Sequence, residues 1–157
     1  AGGLSIMSKG DFLNPHIDNS HNISRDRYRR LNLLYYVTPS WEKKNGGNFE
    51  LWDSKVEKNK TITSRFNRVI IMETNKISWH SVSKVKVDKI RCCLSNYYFS
   101  KKYPSQYFKE YNHVTSFTGR PDEKFKRIYG FVDNYLRNTL SSNFNMGRGK
   151  RLINKDS

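Results

Sequence analysis

Over its first hundred positions the chain alternates short apolar-rich runs with clusters of turn formers, a pattern of strands rather than helices. Residues 12–18 read as a first strand, and the polar stretch 19–27 as a loop long enough to border a site. Residues 30–37 alternate and are rich in aromatic and aliphatic side chains. Pro39 and the Asn45-Gly46-Gly47-Asn48 cluster mark turns. Shorter strands are expected at 49–52, 61–64 and 68–72, with Asn67 at a tight turn, followed by strands at 77–82 and 90–99. Many short strands at this spacing predict a mainly β fold, a sandwich or barrel that includes the jelly-roll forms.

After Pro104 the period changes. Arg120-Pro121-Asp122-Glu123 reads as a helix start, with proline in the first turn and acids at the positive end of the dipole. Phe125, Ile128, Tyr129, Val132, Leu136 and Leu140 then recur at helical spacing, an apolar stripe expected to pack on the sheet. Residues 141–157 lose periodicity and are expected to be loose. No internal repeat is present.

Composition narrows the class. At 157 residues the chain fits one domain, with a β core over 8–99 and a helical segment with a basic tail over 100–157. Aromatic content of 14% argues against disorder, and no apolar run is long enough to span a membrane. No leader peptide is visible, and the start at Ala1-Gly2-Gly3 suggests a trimmed chain. Cys92 and Cys93 are adjacent, so a bridge between them is strained; reduced thiols and a cytoplasmic setting are expected. The net charge of +15 is scattered, with its densest cluster at Arg148-Gly149-Lys150-Arg151. Such a charge is compatible with nucleic acid or an acidic protein, but a lysine-rich solvated surface is the expectation.

The chemistry lies in His16-Ile17-Asp18, a later His80, and Arg91 beyond it. In a strand, side chains two apart share a face, so His16 and Asp18 reach one point while Ile17 turns away. A second imidazole from another strand completes two histidines and one carboxylate, the facial set that leaves coordination positions open for non-haem Fe(II) chemistry. Arg91 offers a fixed planar cation suited to a carboxylate. His21 and His113 are read as surface residues without a metal role.

The order and surroundings of these residues carry a resemblance. Gly10-Asp11-Phe12-Leu13-Asn14-Pro15-His16-Ile17-Asp18-Asn19 resembles the first core strand of the prolyl 4-hydroxylase-like group of iron- and 2-oxoglutarate-dependent dioxygenases. So do residues 30–37, Trp41, Gly46-Gly47-Asn48-Phe49-Glu50-Leu51, Trp79-His80-Ser81-Val82 and the strand opened by Arg91. The resemblance covers residues 8–99 and implies a double-stranded β-helix, a jelly-roll and cupin relative, with a packed C-terminal helix. It implies Fe(II) held by His16, Asp18 and His80, and 2-oxoglutarate held at its distal carboxylate by Arg91, Tyr36 and Ser95. Asn32 and Tyr97 are expected to line the pocket. The implied reaction is hydroxylation of an unactivated C–H bond by O₂, coupled to decarboxylation of 2-oxoglutarate to succinate, with ascorbate as an ancillary reductant.

Three departures bear on this reading. Only 15 residues precede His16, where family members carry bracing elements, so supporting N-terminal structure is expected to be missing. The family often has lysine in place of Arg91. Tyr97 stands where oxygenases that demethylate nucleic acids have a second arginine, which disfavours a nucleic-acid substrate. A peptide, protein or small-molecule substrate is expected, no membrane partner is, and the oligomeric state is left open. Two alternatives stand beside the oxygenase: a non-catalytic barrel serving as a basic binding module, and a cupin-type metal enzyme that does not use 2-oxoglutarate.

Overall fold

A computed structural model describes residues 2–102 and 113–144. Nine strands precede one long helix: β1 (Gly2–Met7), β2 (Leu13–Ile17), β3 (Tyr28–Tyr36), β4 (Phe49–Trp52), β5 (Asn59–Ile62), β6 (Arg68–Glu73), β7 (His80–Val82), β8 (Arg91–Ser100), β9 (Ser116–Phe117) and α1 (Lys124–Phe144). They form two antiparallel sheets, one ordered β1-β8-β3-β6 and the other β5-β4-β7-β2-β9. Residues of both sheets line one internal cavity, the arrangement of a double-stranded β-helix.

Apolar side chains form the wall and floor of that cavity. Tyr36, Phe49, Met72 and Cys93 make one buried cluster, and Met7, Trp41 and Val85 a second that closes the end farther from the histidines. Cys92 and Cys93 carry free thiols and project to opposite faces of β8, Cys93 into the core and Cys92 half-buried outside it.

Several expectations shift, each for a local reason. β1 and the two-residue β9 go unmarked in the sequence, because a strand at a sheet edge needs no strong pattern of its own. β7 begins at His80 rather than residue 77: Asn75 Oδ1 accepts from Ile77 N (2.9 Å) and Ser78 Oγ from Asn75 N (3.0 Å), curling 75–79 into a turn. β5 ends at Ile62, its length set by pairing with β4 from Trp52↔Asn59 to Phe49↔Ile62. Ser64, assigned to that strand by sequence, is buried in the following turn, where its Oγ donates to Gly47 O (2.7 Å). His113 is buried at 5% exposure, not on the surface, because residues 113–117 return to the barrel: His113 O accepts from Ser20 N at 3.0 Å.

The helix departs most. It begins at Lys124, after a turn in which Glu123 accepts from Arg120 N (2.9 Å), and continues to Phe144; residues 145–157 lie outside the described residues. It docks, but through its polar side. Asn134 and Phe117 exchange bonds of 3.1 and 2.8 Å, Asn138 Oδ1 accepts from Val114 N (3.1 Å), and Arg127 donates to Lys55 O and Val56 O (2.9 Å each). Gly130 permits this approach: a Cβ there would lie 2.7 Å from Phe117 O. The edge at β9 presents bare peptide groups, which side-chain amides satisfy and apolar groups do not. The stripe expected to face the sheet therefore faces solvent, with Phe125 90% and Leu140 49% exposed. No helix among the described residues is long and apolar enough to cross a membrane.

Candidate metal centre and cosubstrate pocket

Strand register brings the two imidazoles together. His16 and His80 are directly paired across β2 and β7, and their ring centroids lie 4.1 Å apart. A register shift between Leu13 and His16 re-aims β2, so that both residues line the cavity despite their odd spacing. Asp18 follows just beyond the strand. Its carboxylate lies 4.0 Å from His16 Nε2 and 3.5 Å from His80 Nε2, and one donor atom from each residue lies within 4.8 Å of the others. No other cluster of metal-ligating side chains occurs among the described residues.

The outer atoms fix the tautomers. His16 Nδ1 donates to Asn14 O (3.0 Å) and His80 Nδ1 to Ser78 O (2.9 Å). A carbonyl can only accept, so each Nδ1 carries the proton and each Nε2 presents a lone pair to the centre. Burial, aided by the neighbouring His80, lowers the His16 pKa to about 4, and burial lowers that of His80. Burial raises the Asp18 carboxyl, but His80, Arg29, His16 and a hydrogen bond from Asn32 together outweigh it and hold it below its usual value. Two neutral imidazoles and one carboxylate are the protonation state a divalent cation requires.

Asp18 is clamped from behind by Arg29, a residue that sequence reading missed. Its guanidinium is 6% exposed, lies 3.5 Å from Asp18 Oδ2, donates to Asn32 Oδ1 (2.8 Å) and Asn19 Oδ1 (3.0 Å), and stacks 3.8 Å over the Tyr97 ring. Strict alternation along β3 puts residue 29 opposite Asn32. A register shift between Arg29 and Leu31 turns it inward, and no sequence signal marks that bulge. Asn32 and Tyr97 thus line the cavity as expected, both engaged with Arg29.

Beyond the histidines the cavity, about 140 Å³ in volume, reaches Arg91, Tyr36, Cys93 and Ser95. Arg91 is 3% exposed, yet it donates only long bonds, to Ser64 Oγ and Met7 Sδ at 3.4 Å each, and among the described residues no carboxylate pairs with it. Tyr36 is fully buried, and its hydroxyl, near Ser64 and Arg91, is within bonding geometry of neither. Burial pushes its pKa up to about 12, so it stays a donor. A buried cation and a buried hydroxyl both lacking strong partners are costly unless an anionic ligand completes them. Ser95 lines the same wall, but its hydroxyl is already engaged with Gly3 O (3.1 Å) and Tyr97 Oη (3.2 Å). Gly47 makes room for Arg91: at φ 59° it adopts a left-handed conformation, and a Cβ there would lie 2.7 Å from Arg91 Cδ.

Residues 2–99, which carry the triad, Arg29, Tyr36 and Arg91, match the family model of the 2OG-Fe(II) oxygenase superfamily. The chain belongs to this superfamily. It is similar to a prolyl 3-hydroxylase of Mus musculus, 27% identical over 89 residues, which cover 52% of this chain and 16% of that protein. Its fold resembles a prolyl hydroxylase from Trichoplax adhaerens solved with a peptide of the hypoxia-inducible-factor oxygen degradation domain, at TM-score 0.52 and 25% identity, over 62% of this chain and 42% of that one. A prolyl 4-hydroxylase from Phytophthora capsici aligns over 87% of this chain and 42% of its own, at TM-score 0.52 and 18% identity. The chain thus spans about a sixth of the curated relative and less than half of each solved structure.

Proposed function

We propose that this oxygenase domain hydroxylates an unactivated C–H bond of a prolyl residue in a peptide or protein, using Fe(II), O₂ and 2-oxoglutarate and releasing succinate. The observation that supports it best is the pairing of an open facial triad with a buried, unpaired cation and hydroxyl in one cavity. His16, Asp18 and His80 would hold the metal, and the donor set suits Fe(II). When bound, iron and 2-oxoglutarate together supply the oxidising power.

The chain's own residues supply position. Arg91 and Tyr36 would hold the distal carboxylate of 2-oxoglutarate in this cavity. Arg29 and Asn32 hold the Asp18 carboxylate at a fixed angle. Leu34, Phe49, Val82 and Cys93 keep the cavity wall apolar and exclude water. A peptidyl substrate is inferred from the relatives, both prolyl hydroxylases and one solved with a peptide. The segments 19–29 and 53–60, which leave the histidine ends of β2 and β4, are expected to frame the substrate entrance and are polar enough to meet a peptide backbone.

The test is succinate formation by the purified chain with Fe(II), 2-oxoglutarate, O₂ and ascorbate as reductant, beside His80→Ala. Turnover that proline-containing peptides stimulate and His80→Ala abolishes supports the proposal. Absence of both turnover and 2-oxoglutarate binding under anaerobic conditions refutes it and leaves the non-catalytic binding module.

A further inference from the structure

The cations that look scattered along the sequence are gathered by the fold. The connections 8–12, 37–48, 63–67 and 83–90 all lie at the end of the barrel opposite the histidines, and they are bonded to one another. Gly10 N donates to Val85 O (2.9 Å), Lys86 N to Asn45 O (2.9 Å), Gly47 N to Ser83 O (3.1 Å) and Ser64 Oγ to Gly47 O (2.7 Å). This bonded surface carries exposed Lys84, Lys86 and Lys89 from one connection and Lys43 and Lys44 from a second. Lys9, Arg65 and the half-buried Arg68 extend it.

Three acids accompany these cations, and two are engaged locally: Asp11 accepts from Ser8 N (2.7 Å) and Glu42 pairs with Lys44 (3.0 Å). At the mouth the stretches 18–27, 53–58, 74–79 and 101–102 carry seven cations with four acids, so what distinguishes the far end is the exposed ring beside its cations. Beside the cations an open cavity of about 640 Å³ lies between residues 40–42 and 65–68. Phe66 stands on its rim, 48% exposed, between Arg65 and Asn67. Asn67 adopts φ 57°, and its Oδ1 accepts from Tyr35 Oη (2.9 Å), which pins the turn that presents this ring. Several unopposed cations beside an exposed aromatic ring in a concave setting are the features that take up a phosphate chain and stack a base.

We propose that this end of the barrel binds single-stranded nucleic acid, its phosphates on the lysines and one base against Phe66 in the cavity bordered by Arg65 and Arg68. The surface is separate from the metal cavity, so the inference stands whether or not the hydroxylase proposal does. The two apolar clusters lie between them, which leaves the mouth free while this end is occupied.

Fluorescence anisotropy of the full chain with a labelled RNA strand of about 12 nucleotides and with the matching duplex tests it. The far-end variant combines Lys43→Gln, Arg65→Gln, Lys84→Gln and Lys86→Gln. Its control combines Arg25→Gln, Lys55→Gln, Lys58→Gln and Lys76→Gln near the mouth, an equal loss of charge. The far-end variant is expected to weaken binding at least ~10-fold and flatten the log–log salt slope by about 3, while the control changes affinity less than ~2-fold. Phe66→Ala is expected to weaken single-strand binding by roughly 10-fold and leave the duplex unaffected. Equal loss in both charge variants means diffuse attraction and overturns the proposal, as does absence of binding. Displacement of the strand by polyglutamate together with an inert Phe66→Ala also overturns it, in favour of an acidic protein partner. The altered side chains at this end are exposed, and thermal melts confirm that each variant is folded.

Discussion

Replacing Arg91 by methionine separates a ligand-binding arginine from a structural one, because the two roles predict opposite signs. Arg91 is 3% exposed, and its bonds to Ser64 Oγ and Met7 Sδ are both long, at 3.4 Å, with its centre 5.1 Å from the Tyr36 ring. Charge-assisted bonds normally close to about 2.7–2.9 Å, so these contacts recover little of the desolvation of a buried cation. Exchange for an apolar side chain of similar length is therefore expected to raise the stability of the ligand-free protein by about 1–2 kcal/mol, a melting shift of roughly 2–8 °C at this size. The same exchange removes the two charge-assisted bonds proposed to the cosubstrate carboxylate, and is expected to cost about 3–4 kcal/mol or roughly 10²- to 10³-fold in 2-oxoglutarate affinity. Differential scanning calorimetry without ligands and anaerobic titration of the metal-loaded protein with 2-oxoglutarate measure the two quantities. Wild type is expected to be stabilised by added 2-oxoglutarate and Arg91→Met not. A variant that melts well below wild type yet retains 2-oxoglutarate affinity would refute the reasoning and make Arg91 a packing residue.

The remaining predictions follow from neighbouring contacts. Gly47→Ala forces a Cβ to 2.7 Å from Arg91 Cδ at a left-handed φ, and is expected to lower stability by about 2–4 kcal/mol and weaken 2-oxoglutarate more than metal, read by melting and two separate titrations. His80→Ala removes one of the three proposed metal ligands and is expected to reduce metal affinity by at least ~10²-fold, measured by competition with a chromogenic chelator. Arg29→Gln frees the Asp18 carboxylate and is expected to weaken the metal by roughly 10-fold while the fold is kept; unchanged affinity would show that the clamp does not position this ligand. For pH, burial holds the pKa values of His16 and His113 at about 4, below the unfolded value. The unfolded chain therefore binds more protons between about pH 6.5 and 4, and metal-free stability is present above that window and lost as the pH falls through it. Urea unfolding at steps across the window measures the loss, and a flat profile would contradict the buried neutral state.

Strand alternation put His16 and Asp18 on one face, because it is a local rule; His80 and Arg91 were picked out by their order, their surroundings and the family resemblance those carry. The same rule put Asn32 and Tyr36 on the inner face of β3, where both line the cavity. It failed at Arg29, because a bulge reverses the alternation for one residue, and a bulge is fixed by how β3 must pair with β8 rather than by its own residues. It also failed at the helix. Periodicity announced an amphipathic element and put its apolar stripe on the sheet, but the bare edge of β9 selected the amide side instead. The Ser64 turn, the seat that Gly47 makes for Arg91, and the union of four basic connections at one end of the barrel all join residues far apart in the chain. The sequence by itself determined most of the element types and the family, and marked the candidate ligands, because these depend on neighbours along the backbone and on side-chain identity. Which faces meet, which charges collect and which buried groups lack partners were decided only by the tertiary structure, because those depend on distances that close when the sheets pair.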